Sequence, residues 1–220
     1  MKSKLFYSKK NKQLEKTILN FLISQQNNSI FTHNMQNPRT VGDTVQDVLC
    51  DNMKNILGIY AVDYSKNFTR RDMADFAFRD KDDLYYVVDV KTHRLNSDFN
   101  MPNLTSIKKL IELYKNDKNY FILLKIDYIM KKNKINFINV YFIPVEFIKL
   151  SCLTIGALGW GQLQIANANN IVILKPSSRK EWMIELCDKI LAFYPDEIKK
   201  IKKRLNYFKN IKNQWQNVSN

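Results

Sequence analysis

The sequence predicts an α/β (α+β) fold, with a mixed central β-sheet flanked by α-helices. Apolar residues recur at helical spacing near both ends of the chain, whereas the middle contains strand-like runs separated by polar turns. The 220 residues are 45% hydrophobic and 12% aromatic, which is enough for a substantial core. Because we find no repeat, linker or compositional break, we expect one domain spanning residues 1–220.

The expected elements follow from periodicity and from turn residues. Helices are predicted at residues 12–26 and 41–57, the second ending at Gly58, and a strand at 59–64. A hairpin over 75–91 and a helix over 105–115 come next. The remaining predicted elements are strands at 120–130, 135–143, 163–166 and 171–174 and helices at 178–193 and 195–215.

Charge and cysteine content limit the classes of function. A formal net charge of +14 favours a polyanionic partner, nucleic acid before membrane, because Lys and Arg neutralise phosphates. Neither an apolar leader segment nor a bilayer-length apolar run is present, so we expect a cytoplasmic protein without membrane association. Cys50, Cys152 and Cys187 are widely spaced and only two histidines occur, so we expect reduced thiols rather than a zinc site.

The predicted hairpin brings charged residues to one edge of the sheet. Asp75 precedes the apolar residues 76–78, a polar turn follows at 79–83, and the run 84–88 ends in Asp89-Val90-Lys91. Side chains alternate along a strand, so Asp89 and Lys91 lie on the same face, and Asp75 can approach them from the partner strand.

Two carboxylates and an ammonium suit phosphodiester hydrolysis. Mg²⁺ prefers oxygen ligands and keeps several waters, so Asp75 and Asp89 can hold it together with a substrate phosphate. Lys91 can contact the scissile phosphate and offset charge in the transition state. The alternative interpretation is a solvated Asp89–Lys91 pair without a role.

These residues resemble a nuclease motif. Asp75…Asp89-Val90-Lys91 has the form of the PD-(D/E)XK motif without its proline, since Ala74 precedes the first acid. The order of further segments resembles the EcoRV/HincII/SwaI group of type II restriction endonucleases, and HincII-like members most closely. Those segments are Arg39-Thr40-Val41-Gly42, Val45-Gln46-Asp47, Pro102-Asn103, residues 160–165 and residues 178–182.

The resemblance implies a restriction-endonuclease-like core and a single catalytic and DNA-binding domain. It implies a Mg²⁺-dependent homodimer that cuts double-stranded DNA at a short palindrome, leaving blunt ends, alongside a cognate DNA methyltransferase. Asp75 and Asp89 then correspond to the metal-binding acids and Lys91 to the catalytic lysine. The group often carries a glutamate on the preceding helix, where this chain has Gln46 beside Asp47.

Candidate DNA contacts lie in two polar segments. Thr92 and His93 are candidates for phosphate contacts, and Asn100 and Asn103 have the carboxamide chemistry that reads base edges. By resemblance, Asn103 contacts bases and Asn100 takes an intercalating position. Gln162 and Gln164 lie in the glycine-rich stretch 156–164, and the corresponding region of the resembled group reads bases in the major groove. The alternative interpretation is an ordinary polar loop and a turn.

Two features have simpler structural interpretations. Trp160 and Trp182 are predicted to be core aromatics rather than stacking platforms for bases. The lysine-rich run 199–204 forms either a phosphate-binding patch or the solvated face of a helix whose other face is apolar.

The sequence therefore predicts a type II restriction endonuclease. Two alternatives are another PD-(D/E)XK nuclease, for DNA repair or junction resolution, and a DNA-binding protein without catalysis.

Overall fold

The computed structural model describes residues 2–31, 37–66, 73–95, 97, 102–131, 134–174 and 178–218. In chain order the helices and strands are α1 (Lys10–Gln25), α2 (Pro38–Leu57), β1 (Asp63–Ser65), β2 (Phe76–Arg79), β3 (Tyr85–Arg94), β4 (Asn103–Ser106), α3 (Ile107–Tyr114), β5 (Asn119–Lys131), β6 (Lys134–Pro144), β7 (Leu153–Gly156), β8 (Gln162–Ile165) and α4 (Arg179–Gln216). Short 3₁₀ turns connect several of them.

Five strands form the central sheet in the order β1-β2-β3-β5-β6. β3 pairs antiparallel with β2 and parallel with β5, and β5 pairs antiparallel with β6. The crossover between the parallel strands contains α3, as a parallel connection requires. The chain thus has the predicted mixed α+β architecture, with a mixed central sheet flanked by helices.

One face of the sheet packs against α1 and α2. On α2, fully buried residues recur every four positions, at Val41, Val45, Leu49, Met53 and Leu57. They join a stack of sheet aromatics, in which Phe78 and Tyr86 have ring centroids 4.6 Å apart. Gly42 marks the closest approach, since a Cβ there would lie 3.2 Å from Thr92 Oγ1. This packing fixes α2 beside β3.

The second sheet is small and has the order β4-β8-β7. Its strands are antiparallel. Helix α3 begins at Ile107, directly after β4, and the Ile107 amide donates to Gly161 O at 3.0 Å. Because β4 runs directly into α3, the small sheet is tied to the crossover that covers β5.

Several predicted elements need correction. The apolar run 171–174 forms one isolated bridge, Ile148 to Ile173, because its neighbours at 145–152 are 3₁₀ turns rather than a strand. The strand predicted at 59–64 starts only at Asp63, after a 3₁₀ turn at Gly58–Tyr60. β4 and β7 were not predicted, since strands of four residues give little periodicity.

The C-terminal helices predicted on either side of Pro195 are one helix, α4. A proline removes one backbone donor, and the residues around it keep their helical bonds. The chain divides into two compact units, Met1–Ser177 and Ser178–Asn220, and α4 belongs to the second. In the described part of the chain no helix combines the length and apolarity needed to cross a bilayer.

Candidate active site

The predicted hairpin is confirmed and sets the register of the site. Phe76 pairs with Val88, and the Asp75 amide donates to Val88 O at 2.9 Å. This register puts Asp75 opposite Asp89, the first residue of β3 beyond its pairing with β2. The turn is stabilised by Asp80, whose Oδ1 accepts from the amides of Asp82 and Leu84 at 2.9 and 3.0 Å.

Asp75 is fixed by two donors from different elements. Its Oδ2 accepts from the Val90 amide at 2.6 Å, so the carboxylate replaces a ladder bond where β2 has ended. Its Oδ1 accepts from Gln46 Nε2, on α2, at 2.7 Å. Burial raises the pKa of Asp75, and the Val90 amide and the Lys91 charge oppose that rise.

Asp89 is buried and only half of its carboxylate is paired. Its Oδ1 accepts from Lys91 Nζ at 2.5 Å, whereas no described residue bonds to its Oδ2. Only 6% of Asp89 is exposed, so the alternative of a solvated ion pair is not what forms here. Burial raises the pKa of Asp89 to about 7; Lys91 lowers it and the neighbouring Asp75 raises it.

The three residues line an open cleft of about 1110 Å³ at the sheet edge. Helix α2 supplies one wall, and β4 with the first turn of α3 supplies the other. The wall residues from α2 are Arg39, Asp43, Gln46, Asp47, Cys50 and Asp51, and those from the opposite wall are Leu104, Thr105, Ser106 and Lys109. Acidic, basic and amide groups thus face one space, as a site for a cation and an anionic substrate would require.

The donor set fits a magnesium ion. No cluster of three or more His, Cys, Asp or Glu side chains that could enclose a metal occurs within the described ranges. Mg²⁺, however, needs few protein ligands because it retains water and binds substrate phosphate. Asp75 and Asp89 would hold it, and Asp89 Oδ2 is a buried acceptor with its lone pairs available.

Cys50 also lines the cleft, but it is a poor nucleophile. Burial, together with the charges of Asp75, Asp47 and Asp51, raises the pKa of its thiol to about 12. Its Sγ lies 3.5 Å from Asp75 O. A thiol protonated at neutral pH does not attack an ester, so thiolate catalysis is unsuited to this site.

Three of the predicted DNA contacts come together on the small sheet. Asn103 on β4 pairs with Gln164 on β8, and Gln164 Nε2 donates to Asn103 Oδ1 at 2.5 Å. Gln162, opposite Ser106 on the same pair of strands, lines the cleft. Gly156 leaves room for this arrangement, because a Cβ there would meet the Gln164 carboxamide at 2.9–3.1 Å.

The other predicted contacts have different surroundings. His93 is buried, and its Nε2 lies 2.8 Å from Asn169 Oδ1. Thr92 is half-buried on β3, where its hydroxyl faces Gly42 of α2. Neither is among the described residues that line the cleft. Asn100 lies outside the described residues.

The turn between β7 and β8 departs from expectation. Trp182 is a core aromatic, as predicted, with 3% of its surface exposed, but the prediction was wrong for Trp160, which is 66% exposed. Gly159 and Gly161, with φ of 56° and 93°, bend the chain so that Trp160 projects outward. Lys108 Nζ stands 4.9 Å from the centre of its ring. The glycines at 159 and 161 signalled a turn, and residues held at a turn's tip are commonly exposed.

Sequence reasoning also missed residues that the fold brings close to the site. Thr105 and Lys109 line the cleft because β4 passes directly into α3. On β5, Lys125 pairs in register with Lys91, and its ammonium forms a buried ion pair with Asp127. An acid and a base two residues apart in an apolar strand were a signal for this pair, as they were for Asp89 and Lys91.

Comparison of the chain with models of known protein families and with curated proteins found no match.

Proposed function

We propose that this protein is a Mg²⁺-dependent endonuclease of the PD-(D/E)XK type that hydrolyses phosphodiester bonds in double-stranded DNA. The observation that carries the proposal is the convergence of Asp75, Asp89 and Lys91 at a sheet edge, with the buried Asp89 Oδ2 free to accept a cation. A sheet edge flanked by α2 and by the β4–α3 segment agrees with a restriction-endonuclease-like core.

Each residue has a distinct role in the proposed reaction. Mg²⁺, when bound, polarises the phosphate and lowers the pKa of a bound water. Asp75, held by Gln46 and the Val90 amide, orients the cation without moving, since both of its oxygens are restrained. Lys91 is paired with Asp89 here; with a cation held by Asp89, its ammonium would be free to contact the scissile phosphate and would stabilise developing negative charge.

A type II restriction enzyme is the favoured member of this class. Asn103, Gln162 and Gln164 form an amide-rich patch beside the cleft, and carboxamides donate to and accept from base edges. Readout of bases at the scissile position favours site-specific cleavage over structure-dependent cutting. By the same proposal the protein acts as a homodimer on a palindrome, leaves blunt ends and is accompanied by a DNA methyltransferase.

Cleavage of phage DNA tests the proposal. We expect discrete fragments with Mg²⁺, none with EDTA, and at least a thousandfold loss of cleavage in Asp89→Asn and Lys91→Met with DNA binding retained. Asp51→Asn is the matched control, because Asp51 lines the cleft but its carboxylate pairs with the exposed Lys66.

The outcomes separate the alternatives. Cutting of junctions or damaged duplex, with linear phage DNA left intact, would identify a repair or junction-resolving nuclease. Binding of DNA without Mg²⁺-dependent cleavage would identify a non-catalytic binding protein. Cleavage at the wild-type rate by either site variant would refute the assignment of Asp89 and Lys91.

A further inference from the structure

Helix α4 carries a continuous exposed stripe with a seven-residue repeat. Its positions alternate in steps of three and four residues, the spacing that keeps side chains on one line along paired helices. They are Ile184, Cys187, Leu191, Tyr194, Ile198, Ile201, Leu205, Phe208, Lys212 and Trp215, and all ten are exposed. A 38-residue helix is about 57 Å long, so the stripe offers a long apolar seam.

The stripe is separate from the helix's buried side. Trp182 and Leu186, the buried hydrophobic residues of α4, lie roughly opposite Ile184 around the helix. A monomer therefore leaves the stripe in water, and exposed apolar surface of this extent marks an interaction site.

Charge is distributed unequally along α4. Residues 179–197 carry five acidic and three basic side chains, whereas residues 198–216 carry seven basic side chains and no acidic one. Two such helices laid parallel would align their basic halves and repel each other. Laid antiparallel, the acidic half of each faces the basic half of the other.

We propose that the stripe binds a second copy of this chain, with the two α4 helices antiparallel. In this dimer the two-fold axis passes midway between Ile198 and Ile201 of each helix. Every stripe residue of one copy then lies opposite a stripe residue of the other, and the two-fold axis repeats each pair. The pairs are Ile198 with Ile201, Tyr194 with Leu205, Leu191 with Phe208, Cys187 with Lys212, and Ile184 with Trp215.

The charges beside the stripe fit the same register. Asp188 of one copy stands beside Lys209 of the other, on the edge of the seam, and the two-fold arrangement repeats this pair. A helix that binds an unrelated partner has no need for its acidic half to complement its own basic half. This self-complementarity is what identifies the occupant as a second copy, and it does not depend on the proposed nuclease function.

Disulfide trapping tests the orientation. In the Lys212→Cys variant, mild oxidation with diamide should join Cys187 of one copy to the new thiol at position 212 of the other, as peptide mass spectrometry would identify. Lys203→Cys is the control, because residue 203 is exposed on the far side of the helix and should not be trapped. A link between two copies of Cys187 would mean parallel helices and would overturn the proposal.

Sedimentation equilibrium without DNA tests the surface. The wild type should be dimeric and Leu205→Asp monomeric with unchanged helical circular dichroism. Asp188→Lys should weaken dimerisation about tenfold, and adding Lys209→Asp should restore it, because the two residues meet only between copies.

A monomeric wild type, a dimer that survives Leu205→Asp, or a double variant without recovery would each overturn the proposal. If Leu205→Asp did not fold, Asp188→Lys and the double variant Asp188→Lys/Lys209→Asp would still test the dimer, because both positions are exposed. A monomer that loses DNA retention in Lys202→Gln/Lys209→Gln, two lysines that flank the stripe, would assign this face to nucleic acid instead.

Discussion

At the scale of single residues, the position of Asp89 costs folding free energy and suits the proposed chemistry. Its carboxyl is buried on an apolar strand, where ionisation is unfavourable, and only one of its oxygens has a partner among the described residues. Lys91 relieves part of the cost through a 2.5 Å ion pair. A buried acid that remains partly unpaired is a common feature of sites that await a cation or a substrate.

Asp89→Asn should therefore be more stable than the wild type at high pH. The folded-state pKa of Asp89 is raised to about 7, so between about pH 4 and pH 7 the native state holds a proton that the unfolded state has lost, and the wild-type free energy of unfolding falls as pH rises. The stability gap should widen by about 3 kcal/mol from pH 5 to pH 8, because only about two pKa units of the shift lie in that interval. Denaturant titrations at several pH values, with chelator present, measure it.

Parallel stability profiles for Asp89→Asn and the wild type would contradict the raised pKa. With Mg²⁺ present, the fall in wild-type stability above pH 6 should diminish, because the cation binds the ionised carboxylate.

Gln46 stands where the resembled group often carries a glutamate, and the proposed function makes it a positioning residue for Asp75. Its amide holds Asp75 Oδ1, so Gln46→Ala leaves Asp75 restrained by the Val90 amide alone. We expect cleavage to fall about tenfold and the Mg²⁺ concentration needed for half-maximal activity to rise. Kinetics over a range of Mg²⁺ concentrations measure both.

Asn52→Ala is the control for Gln46→Ala, because the Asn52 amide bonds within α2, to Val48 O at 2.8 Å. An unchanged Mg²⁺ requirement in Gln46→Ala would show that the bond to Asp75 has no positioning role.

At the scale of elements, two glycines of the small sheet should respond differently to alanine. A Cβ at Gly161 would press on Ile107 and Ile155 at 3.0 and 3.1 Å, and its φ of 93° is unfavourable for alanine. Gly161→Ala should therefore destabilise the protein by about 1–3 kcal/mol. At Gly156 the obstructing atoms are the end of the flexible Gln164 side chain, so Gly156→Ala should cost less than about 1 kcal/mol.

The proposed function predicts a second difference between the two alanine variants. Gly156→Ala should displace the Gln164 carboxamide from Asn103 and thereby alter DNA sequence preference while the fold stays intact. Thermal unfolding and cleavage of a plasmid library measure the two effects. Equal destabilisation by both substitutions would contradict the geometry of the β7–β8 turn.

Strand β5 contains a second acid–base pair, and both of its members are buried. Lys125 and Asp127 are both buried and paired with each other, so Lys125→Met leaves a buried carboxylate without its counter-ion. We expect a loss of about 3–5 kcal/mol in the free energy of unfolding at neutral pH, and recovery of much of it in Lys125→Met/Asp127→Leu. Denaturant titration of the two variants tests this; no recovery in the double variant would argue against the pairing.

At the scale of the whole molecule, a net charge of +14 should dominate nucleic-acid affinity. If about six to ten phosphates are contacted, the association constant for nonspecific duplex should fall by about 10³ to 10⁵ between 50 and 200 mM salt. Fluorescence anisotropy with a labelled duplex over that range, without Mg²⁺, gives the slope. Affinity independent of salt would contradict a phosphate-binding surface.

The sequence alone determined the features that depend on residues close together in the chain. The apolar spacing of α1 and α2, the 75–91 hairpin and the long strands β5 and β6 were all predicted, because burial of one face imposes a local period. The grouping of Asp75 with Asp89 and Lys91 followed from the same hairpin register.

Tertiary structure alone decided which distant segments meet. Gln46 reaches Asp75 because α2 packs on β3, and Asn103 reaches Gln164 because β4 pairs with β8, 61 residues further along the chain. Pairing of β3 with β5 sets Lys125 beside Lys91, and the glycine turn leaves Trp160 exposed. No local period encodes these contacts, since long-range packing selects among many pairings that the same strands could make.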